Sequence, residues 1–452
     1  MAPRGHRAVK GSAGTPSKAP KRPELPAVRE AVGRRKAEIL AWLQDFVRCR
    51  SENRPPTGTE AAAQDFLETH CGREGWETRG FLPTDVPGIQ KHRYWLPGRE
   101  YPSGRRNFVA RWKGSPGAGG RSRSLLFSGH ADVAPFEPDN WTVCRPFEPR
   151  LVDGRLHGRG TADMKGGMAA AFWAMKILKG LGFTPAGDIL FESVVDEEFA
   201  GGNGTLAGRL AGFNADLAVL TEPTRMQVCP ACLGAFLGDI TLRGKAGMPY
   251  MGSEIPNPIV GAARVIEGFQ EWQKAWRKEN SHPLFQEPGK QLNLVLSSIR
   301  SLAPGELEQM GTPLLTAISW IIWCYPGMTE AEFRGRFKRF WEDRFSSDPV
   351  LAPFSPEIQP TYHFVRPWET PTDHPGVKSV VEAYRAVTGQ DPVVGGAPFS
   401  CDLGVYGDPG NMPCLILGPR GDNLHAPDEW VLLEDVYTLT EIFACLAAGW
   451  CV

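Results

Sequence analysis

Residues 125–132 read Leu-Leu-Phe-Ser-Gly-His-Ala-Asp, and residues 189–198 read Ile-Leu-Phe-Glu-Ser-Val-Val-Asp-Glu-Glu. In each, a short apolar-biased run ends abruptly in imidazole or carboxylate side chains, the pattern of a buried strand delivering polar groups at its carboxyl end. Residues 217–220 repeat it and stop at Thr221-Glu222-Pro223-Thr224. A helical stretch, 165–181, lies between the first two runs. Strands alternating with helices in this order predict a largely parallel sheet covered by helices. Sites in open sheets of that kind form beyond the carboxyl ends of the strands.

Working outward, residues 26–76 read as helices, with Ile39, Leu40, Leu43, Phe46 and Val47 at helical spacing and Pro55-Pro56 as a break. Residues 82–107 are rich in Pro, Gly, Arg and aromatics and show neither period, so they predict a long surface loop that rims a site. After Glu222 the pattern changes to a strand at 236–242, a helix at 258–276, strands at 292–299 and 315–323, and a helix at 329–345. That β-α-β-β-α run is a compact second domain. A Pro-rich passage, 348–372, closes it, and the helix, strand and helix at 377–387, 414–417 and 434–448 resume the first domain. The expected organisation is a basic tail over 1–25, a first domain over 26–234 and 352–452, and an inserted α/β domain over 235–351.

With 452 residues, 42% hydrophobic and 22% charged, the chain is long enough for two cores and has the balance of a soluble globular protein. A net charge of −1 recruits neither nucleic acid nor an anionic membrane, so a small-molecule substrate is expected. No run approaches the roughly 18–20 apolar residues of a membrane span. The first 22 residues carry no acid and almost no large apolar residue and lack the apolar centre of a secretory signal, which predicts a disordered tail; an organellar transit segment is the alternative to that tail. Ten dispersed cysteines fit reduced thiols in a cytoplasm, and Cys229-Pro-Ala-Cys232, with no second pair, reads as two ordinary thiols.

The chemistry concentrates at strand ends. His130 and Asp132 follow the first strand, Asp196-Glu197-Glu198 the second and Glu222 the third. Asp163 sits in the glycine-rich turn 157–167, and His425 in the loop 418–429. A phosphate-cradling loop does not fit, because the spacing is wrong and Asp163 stands where the phosphate would bind. Carboxylates crowded together repel unless cations neutralise them, and mixed imidazole and carboxylate donors suit Zn²⁺, Co²⁺ or Mn²⁺ in an open, catalytic style of site.

In order along the chain, GHADVAP, WTVCRPF, DGRLHGRGTADMKGG, VVDEEFAGGNGT, TEPT and LHAPDEW resemble the co-catalytic metallopeptidase family of acetylornithine deacetylase, succinyl-diaminopimelate desuccinylase, aminoacylase and carboxypeptidase G. The resemblance covers about residues 30–450. It implies a zinc-exopeptidase-like α/β domain with an inserted lid that pairs two copies into a homodimer, and two divalent ions, Zn²⁺ first among them. By that resemblance Asp163 bridges the ions, His130 and Glu222 complete one shell, and Glu198 and His425 the other. Asp132 accepts the second ring N–H of His130, fixing its tautomer. Glu197 is the general base that activates water and returns the proton to the leaving nitrogen. Glu, not Asp, at position 222 is similar to the deacylase and carboxypeptidase branches, implying hydrolysis of the amide bond of an N-acyl amino acid or small peptide-like substrate.

The inserted domain departs from the family pattern. Where the family reads G-K-x-x-H, with an oxyanion-binding histidine, this chain reads Gly244-Lys245-Ala246-Gly247-Met248. Trp323-Cys324-Tyr325 stands where an arginine for a substrate carboxylate is expected. Arg300 and His363 are the candidate replacements. Two further readings stay open: an amidohydrolase acting on a non-peptidic amide or amine, and a metal-retaining binding protein with impaired catalysis.

Overall fold

The computed structural model describes residues 22–115, 122–137, 140–200, 202–248, 250, 254–287, 289–301 and 311–452. The expected tail lies outside the described residues up to position 21. Helix α1 (Leu25–Arg48) carries a proline in its first turn and buries Val28, Val32, Ile39, Leu43, Phe46 and Val47 along one face. There follow α2 (Ala61–Arg73), β1 (Glu77–Phe81), β2 (Asn107–Trp112), β3 (Leu125–His130), α3 (Gly166–Gly180), β4 (Ile189–Val194), α4 (Asn203–Leu210) and β5 (Ala218–Leu220). Then come β6 (Val228–Arg243), α5 (Pro258–Glu279), β7 (Leu294–Arg300), β8 (Leu315–Cys324), α6 (Glu330–Phe345) and β9 (Ser355–Val365). The chain ends with α7 (Pro375–Thr388), β10 (Val394–Ser400), β11 (Cys414–Ile416) and α8 (Leu433–Trp450).

Strands β11, β5, β3 and β4 lie side by side and parallel. Strands β2 and β1 extend the sheet antiparallel at one edge. Every residue of β3 and β4 is buried, which is why both read as apolar runs and not as alternating strands. The acid inside β4, Glu192, is matched by the buried Arg209. One core packs α1, α3, α7 and α8 against one face of this sheet, and a second core, including Leu126, Leu206 and Tyr406, covers the other. Helix α3 starts hard against β5: a Cβ on Gly167 would lie 2.0 Å from the Thr221 carbonyl oxygen.

The junction between the two α/β units differs from the sequence expectation at both ends. Strand β6 is one 16-residue strand in place of a short one beginning at 236. Its first half pairs with β10 and β11, and its second half with β8 and β9. The Pro-rich passage expected as a closing loop contains β9, hydrogen-bonded to β6 from Ala235 to Arg243. A strand paired with the second half of β6 thus runs on to Val365, past residue 351. Pro356 and Pro360 hid this strand. Proline cannot donate to a ladder, but β9 is an edge strand with a ladder on one side only, where proline is tolerated. The core of this unit is aromatic, with Phe236 stacked on Phe333 at 3.8 Å and Trp320 on Phe337 at 5.5 Å.

Candidate active site

The fold draws together the strand ends. His130 closes β3, Glu197 and Glu198 occupy the turn after β4, and Glu222 lies two residues beyond β5. Asp163 precedes α3, and a small four-stranded sheet ties its turn to the distant loop of His425 by pairing residues 155–157 with 430–432. Asp163 then lies between two imidazoles: its Oδ1 is 3.2 Å from His130 Nε2 and its Oδ2 is 3.2 Å from His425 Nε2. Glu222 Oε1 is 3.4 Å from His130 Nε2, and Glu198 Oε2 is 2.7 Å from His425 Nε2. Glu197 Oε2 stands further from His130 Nε2, at 3.9 Å.

All five residues expected as metal ligands thus converge, with the expected base beside them. Donor atoms of His130, Asp163 and Glu198 lie within 4.8 Å of one another, as do those of His130, Glu197 and Glu222. This mixed N/O set, with the Asp163 carboxylate facing both imidazoles, fits a pair of divalent ions. The electrostatics point the same way. Burial and mutual repulsion raise the carboxyls of Glu197, Glu198 and Glu222, the last to about 7. Asp163, though buried, is held well below the usual range by the two imidazoles, and hydrogen bonds to Asp163 and Glu198 lift His425 to about 11. Cations among these groups would relieve the crowding of carboxylates.

Other side chains hold these residues in place. Asp132 does so differently from the expectation. The backbone carbonyl of Asp132, 2.8 Å from His130 Nδ1, is the nearer partner of that ring nitrogen, while the carboxylate Oδ1 lies at 3.8 Å. The carboxylate Oδ2 instead accepts the backbone N–H groups of Glu197 and Glu198, at 2.9 and 3.0 Å, and the Asn53 amide at 2.8 Å. Asp196, the first acid of the Asp-Glu-Glu run, turns away from the cluster and accepts from Tyr101 at 2.6 Å and Arg105 at 3.0 Å. Both partners belong to the long 82–107 segment, which therefore braces the turn that carries Glu197 and Glu198.

Glu429 had no assigned role from sequence. It is fully buried, and it accepts backbone N–H groups of Gly160, Ala162 and Asp163 at 2.9–3.1 Å and Arg159 Nη1 at 2.8 Å. Its position four residues after His425 was the available signal. Asp402 was missed as well. It lines the cleft, is buried, and is pushed up to about 7 because desolvation outweighs its hydrogen bond from Thr205.

The cleft over the donors measures about 540 Å³ and runs between the main sheet and the second unit, whose Ala235, Leu237, Ile321, Trp323 and Val365 form its far wall. The candidate lid residues are not in that wall. Arg300 is exposed at the end of β7, and Met248 is 54% exposed on the second unit. His363 does reach the segment after β4, donating from Nε2 to the Ala200 carbonyl at 2.6 Å, but it faces a neighbouring cavity.

Comparison with known proteins places this arrangement. Residues 126–449 match the sequence profile of peptidase family M20/M25/M40. The chain is 27% identical, over 76% of its length and 83% of the relative's, to N-formyl-4-amino-5-aminomethyl-2-methylpyrimidine deformylase of Bacillus subtilis. It is 27% identical to succinyl-diaminopimelate desuccinylase of Methylorubrum extorquens, covering 89% and 96% of the two chains. The solved structure of the di-peptidase Dug1p from Saccharomyces cerevisiae superposes with a TM-score of 0.73 at 14% identity, covering 94% of this chain and 98% of that one. With the family profile spanning well over half its length, this chain belongs to peptidase family M20/M25/M40 and is a metal-dependent hydrolase of that family.

Proposed function

We propose that this protein is a dinuclear amidohydrolase of the deacylase type, removing a small acyl group from an amine, with His130, Asp163, Glu198, Glu222 and His425 as ligands and Glu197 as general base. The observation that carries this reading is Asp163, whose two oxygens face two different imidazoles, each beside a further carboxylate. Two divalent ions so held supply a polarised scissile carbonyl and a water acidic enough to attack near neutral pH. Glu197 reaches toward His130 without being its closest acid, so it is free to hold a proton. It takes that proton from the attacking water and delivers it to the leaving nitrogen, while the Asp132 carboxylate holds its backbone in place. No protein nucleophile is needed.

The donor chemistry supports Zn²⁺ first, with Co²⁺ or Mn²⁺ as substitutes. A homodimer through the second unit is supported by β7, an edge strand exposing Val295 and Ile299. None of the ten cysteines is bonded, which supports a reducing, cytoplasmic setting, and no helix among the described residues is long and apolar enough to cross a membrane. The deformylase and desuccinylase names of the relatives support small acyl groups. The non-catalytic reading rests on Met248, exposed where a hydrogen-bond donor is expected. The test is metal-depleted protein assayed on N-formyl, N-acetyl and N-succinyl amides before and after Zn²⁺ or Co²⁺ is restored. Metal-dependent turnover is the expected result; binding of two ions per chain with no turnover on any amide favours the binding protein.

A further inference from the structure

The wall of the cleft opposite the donors is built by strand pairing. Along β8 the side chains alternate: Ile322 and Cys324 enter the aromatic core, so Ile321 and Trp323 point the other way, into the cleft. Directly opposite them on β6 stand Leu237 and Ala235, and Val365 of β9 pairs with Ala235 from the other side. Three strands thus present one continuous apolar surface to the reacting centre, and Phe399, near the end of β10, adds an aromatic ring to the cleft lining.

Charge is distributed just as unevenly. Among the described residues lining the cleft there is no lysine or arginine, whereas Asp402 adds a carboxylate to those of the donor cluster. The guanidinium groups that line the adjoining cavity, Arg93 and Arg366, are both engaged by Asp408, at 2.7 and 2.9 Å. A substrate carboxylate lying in this cleft away from the metal centre would lose its water against apolar side chains and an acid, with no lysine or arginine among the described lining residues to pair with.

Resting on the amidohydrolase reading above, the geometry points to a leaving amine that carries no carboxylate: an uncharged, flat apolar or aromatic amide seated against Trp323 and Phe399, with Trp323 as a specificity-determining residue. Trp323 offers the broad apolar face such a group would contact. At the same place an arginine would reverse the preference, because its guanidinium recognises a carboxylate through two parallel hydrogen bonds.

The experiment compares N-acylphenethylamine with N-acylphenylalanine, which differ only by the carboxylate, as formyl and acetyl derivatives, on metal-loaded full-length protein. The expected result is a kcat/KM at least 100-fold higher for the phenethylamine member, and a ratio that narrows at least tenfold in Trp323→Arg through a lower KM for the carboxylate member. Equal or better use of N-acylphenylalanine by the wild type overturns the inference, as does an unchanged ratio in the variant. Calorimetric binding of the same pair reads the inference even where nothing is hydrolysed. Tighter binding of the carboxylate member then refutes it, whereas tighter binding of the neutral member without turnover supports it and counts against the hydrolase reading alone.

Discussion

The carboxylate of Glu429 lies beneath the turn that carries Asp163, with Oε1 accepting the Asp163 backbone N–H at 3.1 Å. The same side chain neutralises the buried Arg159 at 2.8 Å. Glu429→Gln leaves that guanidinium without its counter-charge and replaces one acceptor by a donor. Loss of one partner of a buried pair typically costs about 3–5 kcal/mol. Denaturant unfolding is expected to show a loss of that order, and metal analysis a stoichiometry below that of the wild type. A variant of unchanged stability and metal content would remove Glu429 from the positioning of Asp163.

Glu197 and Asp163 should separate in mutagenesis. Glu197→Gln keeps the shape of the side chain but cannot take a proton, so kcat is expected to fall by about 10²–10⁴-fold. Its metal content should stay at the wild-type level, because Glu197 stands further from His130 Nε2, at 3.9 Å, than Asp163 and Glu222, at 3.2 and 3.4 Å. Asp163→Asn withdraws the carboxylate shared by both imidazoles and is expected to lose bound metal along with activity. Metal analysis by mass spectrometry beside steady-state kinetics distinguishes the two patterns.

Glycine at 418 is required by a close backbone approach. A Cβ there would lie 2.0 Å from the carbonyl oxygen of Glu222. Gly418→Ala must push the turn after β5 aside, at a cost of about 1–3 kcal/mol as overpacking. Because Glu222 rides on that turn, metal affinity should fall by more than the stability loss explains. Titration with a competing chelator would measure it.

Stability should fall as pH rises through the range set by Glu60. Its Oε1 accepts from Arg105 at 2.9 Å, while Oε2 is buried without a partner among the described residues. Desolvation, reinforced by Asp132, raises this carboxyl from 4.5 to about 7 against the pull of Arg105. The folded state then holds the proton more tightly than the unfolded chain, so unfolding free energy declines between about pH 4.5 and 7. The decline amounts to about 3 kcal/mol. Glu60→Gln mimics the protonated form and should flatten this part of the pH–stability curve; an unchanged slope would assign it to other groups.

Much of the site was legible because its residues sit at the ends of locally recognisable elements. Apolar runs stopping at His130, at Asp196-Glu197-Glu198 and at Glu222 mark strands that end where polar groups can gather, and the ordered blocks around them carry the family resemblance. The Asp163 turn and the His425 loop were also visible, as glycine-rich and acid-rich segments. Periodicity and turn chemistry are short-range properties, so a linear reading captures them.

What only the tertiary structure decided depends on which distant chain lies alongside. Pairing with β6 turned the Pro-rich segment at 355–365 into an edge strand. The alternation imposed by the β6–β8 register put Trp323 on the face of β8 that borders the cleft. Burial made Glu429 and Asp402 consequential, since a carboxylate matters most where water is excluded. The direction of Asp132 was decided by the backbone N–H groups of Glu197 and Glu198, 65 and 66 residues further along the chain. Register, burial and long-range hydrogen bonds are set by contacts between segments, and sequence order alone does not specify those contacts.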